Sequence, residues 1–135
     1  MIQEQYVSFE TAKLLKQKGF DVISLMLYID EEHPFLTDRT DEDGNYFKNS
    51  ELKNDEYSAP TQALAMRWLR EVHNLFIQVC IIPHTTVTME QKYYLFTVHK
   101  DRRMLAFRKD HPSEYYAIYE EACEAAIKDC LENLI

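Results

Sequence analysis

The sequence predicts an α+β fold with an antiparallel sheet of about four strands and helices packed mainly on one face of it. Three observations lead to this prediction. Residues 60–73 have helical spacing, residues 75–108 hold three β-type stretches joined by turns, and a helical pattern stands near each end of the chain. The predicted order is α-β-α-β-β-β-α. The chain of 135 residues is long enough for one domain, 1–135, with its own hydrophobic core.

The first helix is predicted from Ser8 to about Lys18. Ser8 supplies a side-chain oxygen that can accept hydrogen bonds from the free amides of a first turn, and Val7 stands where a hydrophobic staple would. Gly19 follows the helix, where a left-handed residue is favoured. Residues 22–29, VISLMLYI, are apolar on both faces, which is typical of a central strand.

Residues 30–56, the acidic segment, carry ten acidic and three basic residues, a net charge of −7. Their acidic composition and turn-forming residues predict a mobile connection. The string DEDGN at 41–45 resembles part of a calcium-binding loop, but Arg39 and Ser50 would then occupy positions that require carboxylates. The pattern therefore favours an Asp-Gly turn between short extended segments.

The central helix is predicted from Pro60 to His73. Ser58 is its predicted capping residue, and Pro60 suits a first turn because an N–H group there has no partner within the helix. Arg67 and Arg70 fall on the outer side of this helix. The apolar residues that share its predicted buried face are Leu64, Ala65, Trp68, Leu69 and Val72.

Three strands and a helix are predicted after the central helix. The first strand covers 75–82 and continues through 85–89, the second covers 91–99, and the third covers 104–108 after a turn at 100–103. In the second strand, Tyr94, Phe96 and Val98 share one face. The last helix is predicted to begin between Ser113 and Tyr119. Its predicted buried face consists of Tyr119, Cys123, Ala126, Ile127, Cys130 and Leu134.

The residues that could carry catalysis or bind a metal form no recognisable constellation. The three cysteines are widely spaced and odd in number, so we expect buried, reduced thiols in a reducing compartment. The five histidines show no metal-binding spacing, and the chain contains no phosphate-binding glycine loop or nucleophile motif. We therefore predict no catalytic residue, metal ligand or cofactor, and an enzyme of unidentified class ranks third among the functions considered.

The charge distribution indicates where a partner could bind. The net charge of −8 disfavours general nucleic-acid binding, yet residues 83–112 carry a net charge of +3. Exposed arginine and lysine side chains here could bind an acidic protein surface, or they could simply be solvated or pair with acids of the acidic segment. The predicted partner-binding residues are Arg67 and Arg70 on the central helix and Lys100, Arg102 and Arg103 at the hairpin tip.

A nucleic-acid-associated role through the basic hairpin 100–109 is the main alternative. The order α-β-β-β-α from residue 60 onward is also that of double-stranded-RNA-binding domains, which is an analogy of order alone. The last helix argues against this role, because Glu120, Glu121 and Glu124 would repel the phosphates that such domains contact.

Three stretches resemble a family: VSFETAKLLKQKGFD near the start, YSAPTQALAMRWLREVHN in the centre and YEEACEAAIKDCLENLI at the end. They are similar to small, uncharacterised proteins encoded by phages, prophages and mobile elements of Bacteroides and relatives. The resemblance implies a bacterial cytoplasmic setting and supplies no catalytic residue.

Together with the residues, this resemblance leads us to predict a non-enzymatic module of a mobile element that binds a host or phage protein. No signal peptide or membrane-spanning helix is expected. The sequence indicates no particular oligomeric state.

Overall fold

The computed structural model describes residues 2–83, 92–107 and 115–135, and its fold is α+β. The chain divides into two compact units, Met1–Ala65 and Met66–Ile135. The helices are α1 Phe9–Gln17, α2 Gln62–His73 and α3 Tyr119–Asp129; the strands are β1 Met26–Ile29, β2 Phe35–Asp38, β3 Tyr57–Ser58, β4 Phe76–Pro83, β5 Lys92–Lys100 and β6 Arg103–Phe107. They form two antiparallel sheets, ordered β2-β1-β3 and β4-β5-β6. The prediction of a single domain stays a prediction.

The predicted single sheet of about four strands and the predicted order of elements are wrong. The reason is that the acidic segment contributes β2, and the residues just after it form β3. These two strands pair with opposite edges of β1, so β1 becomes the centre of a sheet of its own. The expectation that β1 is a central strand is confirmed, although the strand begins only at Met26.

Both predicted ends of α1 are confirmed. The Ser8 hydroxyl oxygen accepts a hydrogen bond from the Thr11 amide at 3.3 Å. Gly19 has φ +91°, a conformation that most residues avoid. This turn lets the amides of Gly19 and Phe20 donate to the carbonyls of Lys16 and Leu15 at 3.2 and 2.9 Å. The pattern is a Schellman motif, and it directs the fully buried Phe20 back against the helix.

The predicted Asp-Gly turn in the acidic segment is present. The amide of Gly44, at φ +82°, donates to the Asp41 carbonyl at 3.1 Å. The Asp41 carboxylate accepts from the amides of Asp43 and Asn45 at 2.9 Å each, and these bonds lower its pKa, with the Asn45 amide as the largest cause. The Asp41 carboxylate therefore orders the turn by accepting from its backbone amides. The mobility expected of residues 30–56 stays a prediction.

One buried asparagine near the end of the acidic segment forms hydrogen bonds with two distant backbone groups of the first unit. Asn49 begins a short 3₁₀ turn and is almost wholly buried. Its side-chain amide donates to the Phe20 carbonyl at 2.8 Å, and its side-chain oxygen accepts from the Ser58 amide at 2.9 Å. Both of these backbone groups belong to buried residues. A single side chain thus satisfies one carbonyl after α1 and one amide in β3.

An ion pair also closes the acidic segment. The Arg39 guanidinium donates two hydrogen bonds to the Glu56 carboxylate, at 2.6 and 2.9 Å. The Lys53 amide donates to the same carboxylate at 3.0 Å. Because Arg39 stabilises the charged form, the pKa of Glu56 falls to about 2 although its side chain is buried.

The start and the buried face of α2 differ from the prediction. The helix begins at Gln62, and the Thr61 hydroxyl, not Ser58, accepts from the Leu64 amide at 3.1 Å. Ser58 lies in β3 instead, and its buried hydroxyl has no hydrogen-bond partner among the described residues. The residues of the predicted buried face that are fully or nearly buried are Ala65, Trp68 and Leu69, whereas Leu64 is half-buried and Val72 is 60% exposed.

The second unit contains a regular hairpin sheet that α3 covers on one face. Strand β5 is central: it pairs with β4 through Lys92–His99, and with β6 on both sides of a register shift between Val98 and His99. Helix α3 contacts β4 and β5, and the ring of Tyr94 meets Tyr119 edge-on at 5.8 Å between centroids. The predicted strand 75–82 is confirmed in β4, while its predicted continuation at 85–89 lies outside the described residues.

The end of α3 departs from the predicted helical face. Residues Cys130–Leu134 form a π-helical turn, which is wider than an α-turn and shifts which residues face inward. Leu131 is therefore buried, and Leu134 is only half-buried. Tyr119, predicted to be buried, is 46% exposed at the helix start.

We predict that Asn49→Ala destabilises the protein by about 2–4 kcal/mol, because it leaves a buried carbonyl and a buried amide without partners, each costing about 1–3 kcal/mol. Asn54→Ala, at an exposed asparagine of the same segment, should cost less than about 0.5 kcal/mol. Urea unfolding of both variants measures the difference. Equal costs would show that the Asn49 bonds contribute no stability.

We also predict an acid-sensitive contribution from Glu56. The unfolded chain takes up this proton near pH 4.5 and the folded chain only near pH 2. The stabilisation is thus complete above pH 4.5 and is lost as the pH falls toward 2. Arg39 is 40% exposed, so solvent screening limits the contribution to about 2 kcal/mol.

The free energy of unfolding, measured with urea at pH 6 and at pH 3, should therefore fall less between these pH values for Glu56→Gln than for the wild type. Glu42→Gln, at an exposed carboxylate of the same segment, serves as the control. If both variants keep the pH dependence of the wild type, the Arg39 pair does not stabilise the fold.

Candidate functional site

The hairpin between β5 and β6 has a two-residue turn with unusual backbone conformations. Lys100 pairs with Arg103, and the two residues between them, Asp101 and Arg102, have φ +51° and +69°. Two positive φ values are the mark of a type I′ turn, the form whose twist matches that of the strands. The predicted turn at 100–103 is confirmed, and it directs a run of basic side chains to the tip of the hairpin.

A side-chain hydrogen bond connects this turn to the end of α2. Asn74 ends the helix in a left-handed conformation, φ +57°. Its side-chain amide donates to the Asp101 carboxylate at 2.7 Å. Because Asn74 lies one helical turn after Arg70, this bond brings the outer surface of α2 next to the hairpin tip. The sequence predicted these two surfaces separately, and the structure joins them.

We define the basic corner as Arg70, Lys100, Arg102 and Arg103. All four side chains are exposed. In the ranges 2–83, 92–107 and 115–135, none of the three guanidinium groups forms an ion pair with a carboxylate. The predicted site residue Arg67 differs from them, because its guanidinium donates to Glu71 at 2.9 Å along the exposed side of α2. The predicted hairpin residues Arg108 and Lys109 lie outside the described residues.

Two exposed apolar residues adjoin the basic corner, and the sequence did not single them out. In the register of the sheet, Phe76 of β4 and Met104 of β6 flank His99 of β5. Phe76 is 46% exposed and Met104 is 53% exposed. The next pair in the ladder is Lys100 with Arg103, so the apolar row and the cations are neighbours along the strands and point to opposite faces of the sheet. Apolar residues in strands usually indicate core, which is why sequence reasoning missed them.

His73 lies beside the basic corner in an unfavourable setting for a charge. It is half-buried in the last turn of α2, and its ring meets the Trp68 ring edge-on at 4.7 Å between centroids. Its Nε2 atom is buried and has no hydrogen-bond partner among the described residues. Burial lowers the pKa of His73, and the nearby positive charge of Lys100 lowers it further.

Two of the three cysteines are buried. Cys123 on α3 and Cys130 just after it are buried as predicted, and burial raises the pKa of both thiols, that of Cys130 to about 12. Cys80 is only half-buried in β4, contrary to the expectation that all three thiols are buried. Among the described residues, no group of three or more His, Cys, Asp or Glu side chains could hold a metal ion.

The first unit has a groove of about 610 Å³ beside Tyr6 and Tyr28 and a smaller one at the end of α1. The smaller groove, of about 360 Å³, lies beside Asp21 and Asn49. The Asp21 carboxylate accepts from the Ser50 amide at 2.8 Å, and Asn49 makes the two bonds described above. These bonds hold the end of α1 against the Asn49 turn.

Comparison with protein-family models, curated proteins and solved structures finds no match for this chain. In the described part of the chain, no helix has both the length and the apolar character needed to cross a membrane. The geometry of the basic corner is therefore the main guide to function.

We predict that His73 makes the protein less stable at mildly acidic pH. The unfolded chain takes up this proton near pH 6.5 and the folded chain only at lower pH. Stability should thus fall as the pH drops below 6.5. His73→Phe keeps an aromatic ring against Trp68 and removes the unpartnered nitrogen.

Urea unfolding at pH 7.5 and 5.5 should show a smaller pH-dependent loss for His73→Phe than for the wild type. His33→Phe, at an exposed histidine, should keep the wild-type loss. An unchanged pH dependence in His73→Phe would show that His73 is protonated as readily in the folded chain as in the unfolded one.

Proposed function

We propose that this chain is a non-enzymatic protein-interaction module that binds an acidic surface of another protein through the basic corner. The observation that carries the proposal is the hydrogen bond between Asn74 and Asp101. This bond fixes the hairpin tip relative to the end of α2, so the cations are presented on an ordered scaffold. Binding then requires less ordering of the backbone, which favours affinity.

The charges of the second unit support an acidic partner. The basic corner holds four cations, and the Asp101 carboxylate between Lys100 and Arg102 is already bonded to Asn74. The chain as a whole carries a net charge of −8. A basic patch on an acidic protein orients an approaching acidic surface toward that patch and repels it elsewhere.

The composition of the corner also suits a protein interface. Arginine, phenylalanine and methionine are enriched at such interfaces, and Arg102, Arg103, Phe76 and Met104 are all exposed here. Arginine is prominent among the residues that dominate binding energies.

The origin of the chain belongs to the same proposal. The resemblance of three stretches to proteins of phages, prophages and mobile elements supports a cytoplasmic module whose partner is a host or phage protein. Association with nucleic acid through the same arginines is the competing function. It is less favoured because the second unit also carries Glu120 and Glu121 on α3, which repel phosphates.

A capture experiment with charge-reversed variants tests this proposal. Wild-type protein is immobilised and exposed to a Bacteroides lysate with and without nuclease treatment, and each captured protein is purified and titrated. Arg102→Glu/Arg103→Glu should bind it at least about tenfold more weakly at low salt, because two cations that face the acidic partner become anions. The affinity of the wild type should fall with added salt.

Lys18→Glu/Lys128→Glu is the matched control, since it changes the net charge equally at two lysines outside the basic corner. It should keep wild-type affinity, and circular dichroism checks that both double variants are folded. The proposal fails if charge reversal at the basic corner and charge reversal at the control lysines change the affinity for the partner equally. Capture that disappears after nuclease treatment would instead favour the nucleic-acid function.

A further inference from the structure

Strand β6 is the outer strand of the second sheet. It pairs with β5, and no other described residue pairs with it. Its outer edge therefore presents backbone amides and carbonyls that have no ladder partner in the described part of the chain. Such an edge is a template for a further strand, and proteins usually protect it.

The side chains at the start of β6 are unusually uncovered. Met104 is 53% exposed and Leu105 is 42% exposed. Leu105 lies at the bulge, between the paired residues Met104 and Ala106, so two consecutive apolar side chains are exposed where the pairing with β5 is irregular. An added strand would cover the backbone edge and part of both side chains.

The charges at the same end of β6 distinguish it from the other outer strand. Arg102 and Arg103 stand at its beginning, with Lys100 directly opposite Arg103. Strand β4 is also an outer strand, but its residues Phe76–Pro83 include no charged side chain. An acidic segment would therefore be attracted to the β6 edge and would gain no such attraction at β4.

We propose that the partner contributes an extended segment with carboxylates at one end, which pairs with the outer edge of β6 as a fourth strand. This inference rests on the proposed function and specifies the form of the partner. Main-chain hydrogen bonds to β6 supply general affinity, and the carboxylates facing Lys100, Arg102 and Arg103 fix the position of the segment along the edge.

A synthetic peptide tests the inference with the full chain. The probe is a fluorescent peptide of about eight residues, three glutamates followed by alternating valines and threonines, which is slightly longer than a typical strand. Its analogue carries an N-methyl group at every valine and threonine, which removes the main-chain donors and leaves the charges. We expect the methylated analogue to bind at least about tenfold more weakly than the parent peptide.

Two further measurements separate this inference from the proposed function. Hydrogen exchange of the β6 amides should slow when the parent peptide is bound, and Arg102→Glu/Arg103→Glu should weaken binding of both peptides. Suppose that the two peptides bind the wild type with equal affinity and that both bind the double variant more weakly. This result would overturn strand addition and leave the basic corner as a surface that binds acidic groups. If the double variant binds the peptides as tightly as the wild type does, the proposed function is overturned as well. Absence of parent-peptide binding at millimolar concentration would also overturn strand addition.

Discussion

The first unit depends on the two hydrogen bonds of one buried side chain, Asn49. The chain leaves α1 at Phe20, passes through β1 and the acidic segment, and returns at β3. Asn49 bonds the Phe20 carbonyl at one end of this path and the Ser58 amide at the other. Because a buried backbone group without a partner costs about 1–3 kcal/mol, the unit needs this amide or an equivalent at that position. The Arg39–Glu56 pair then closes the acidic segment from its more exposed side.

In the second unit, an asparagine connects the end of α2 to the hairpin tip. Asn74 takes the left-handed conformation that ends α2, which asparagine tolerates better than most residues. The same side chain reaches Asp101 at the hairpin tip. One residue thus ends a helix and positions a turn, so the arrangement of the basic corner follows from local chemistry at two loop residues.

The sequence allowed the prediction of those features that depend on near neighbours. The Ser8 cap, the Gly19 turn and the 100–103 hairpin each involve residues a few positions apart, and all three are present. The division into two sheets could not be predicted, since it depends on β2 and β3 pairing with β1 across a long loop. Strand β3 has two residues, too few for a periodic pattern.

The difference between local and long-range interactions also explains which features of the site and the loops the sequence did not reveal. Asn49 and Asn54 both looked like turn residues, because sequence context does not reveal that only one of them is buried. The arginines were recognisable as candidates from their charge. Their connection through Asn74 and Asp101 was not, because it joins residues 27 positions apart by a side-chain bond. The exposure of Phe76 and Met104 could not be predicted, because exposure of strand residues depends on what covers the sheet.

The backbone at Arg102 gives a reason to regard the basic corner as more than a solvated surface. Type I′ turns favour glycine at their second central position, as in Asp-Gly, because φ is positive there. This chain has Asp-Arg instead, with Arg102 at φ +69°. A non-glycine residue in the left-handed region costs roughly 1–2 kcal/mol, and an exposed arginine at a turn contributes little to the fold in return. A strained residue that the fold does not require is better explained by what its side chain binds. Arg102 stands beside Arg103 at the start of β6, where the proposed interface lies.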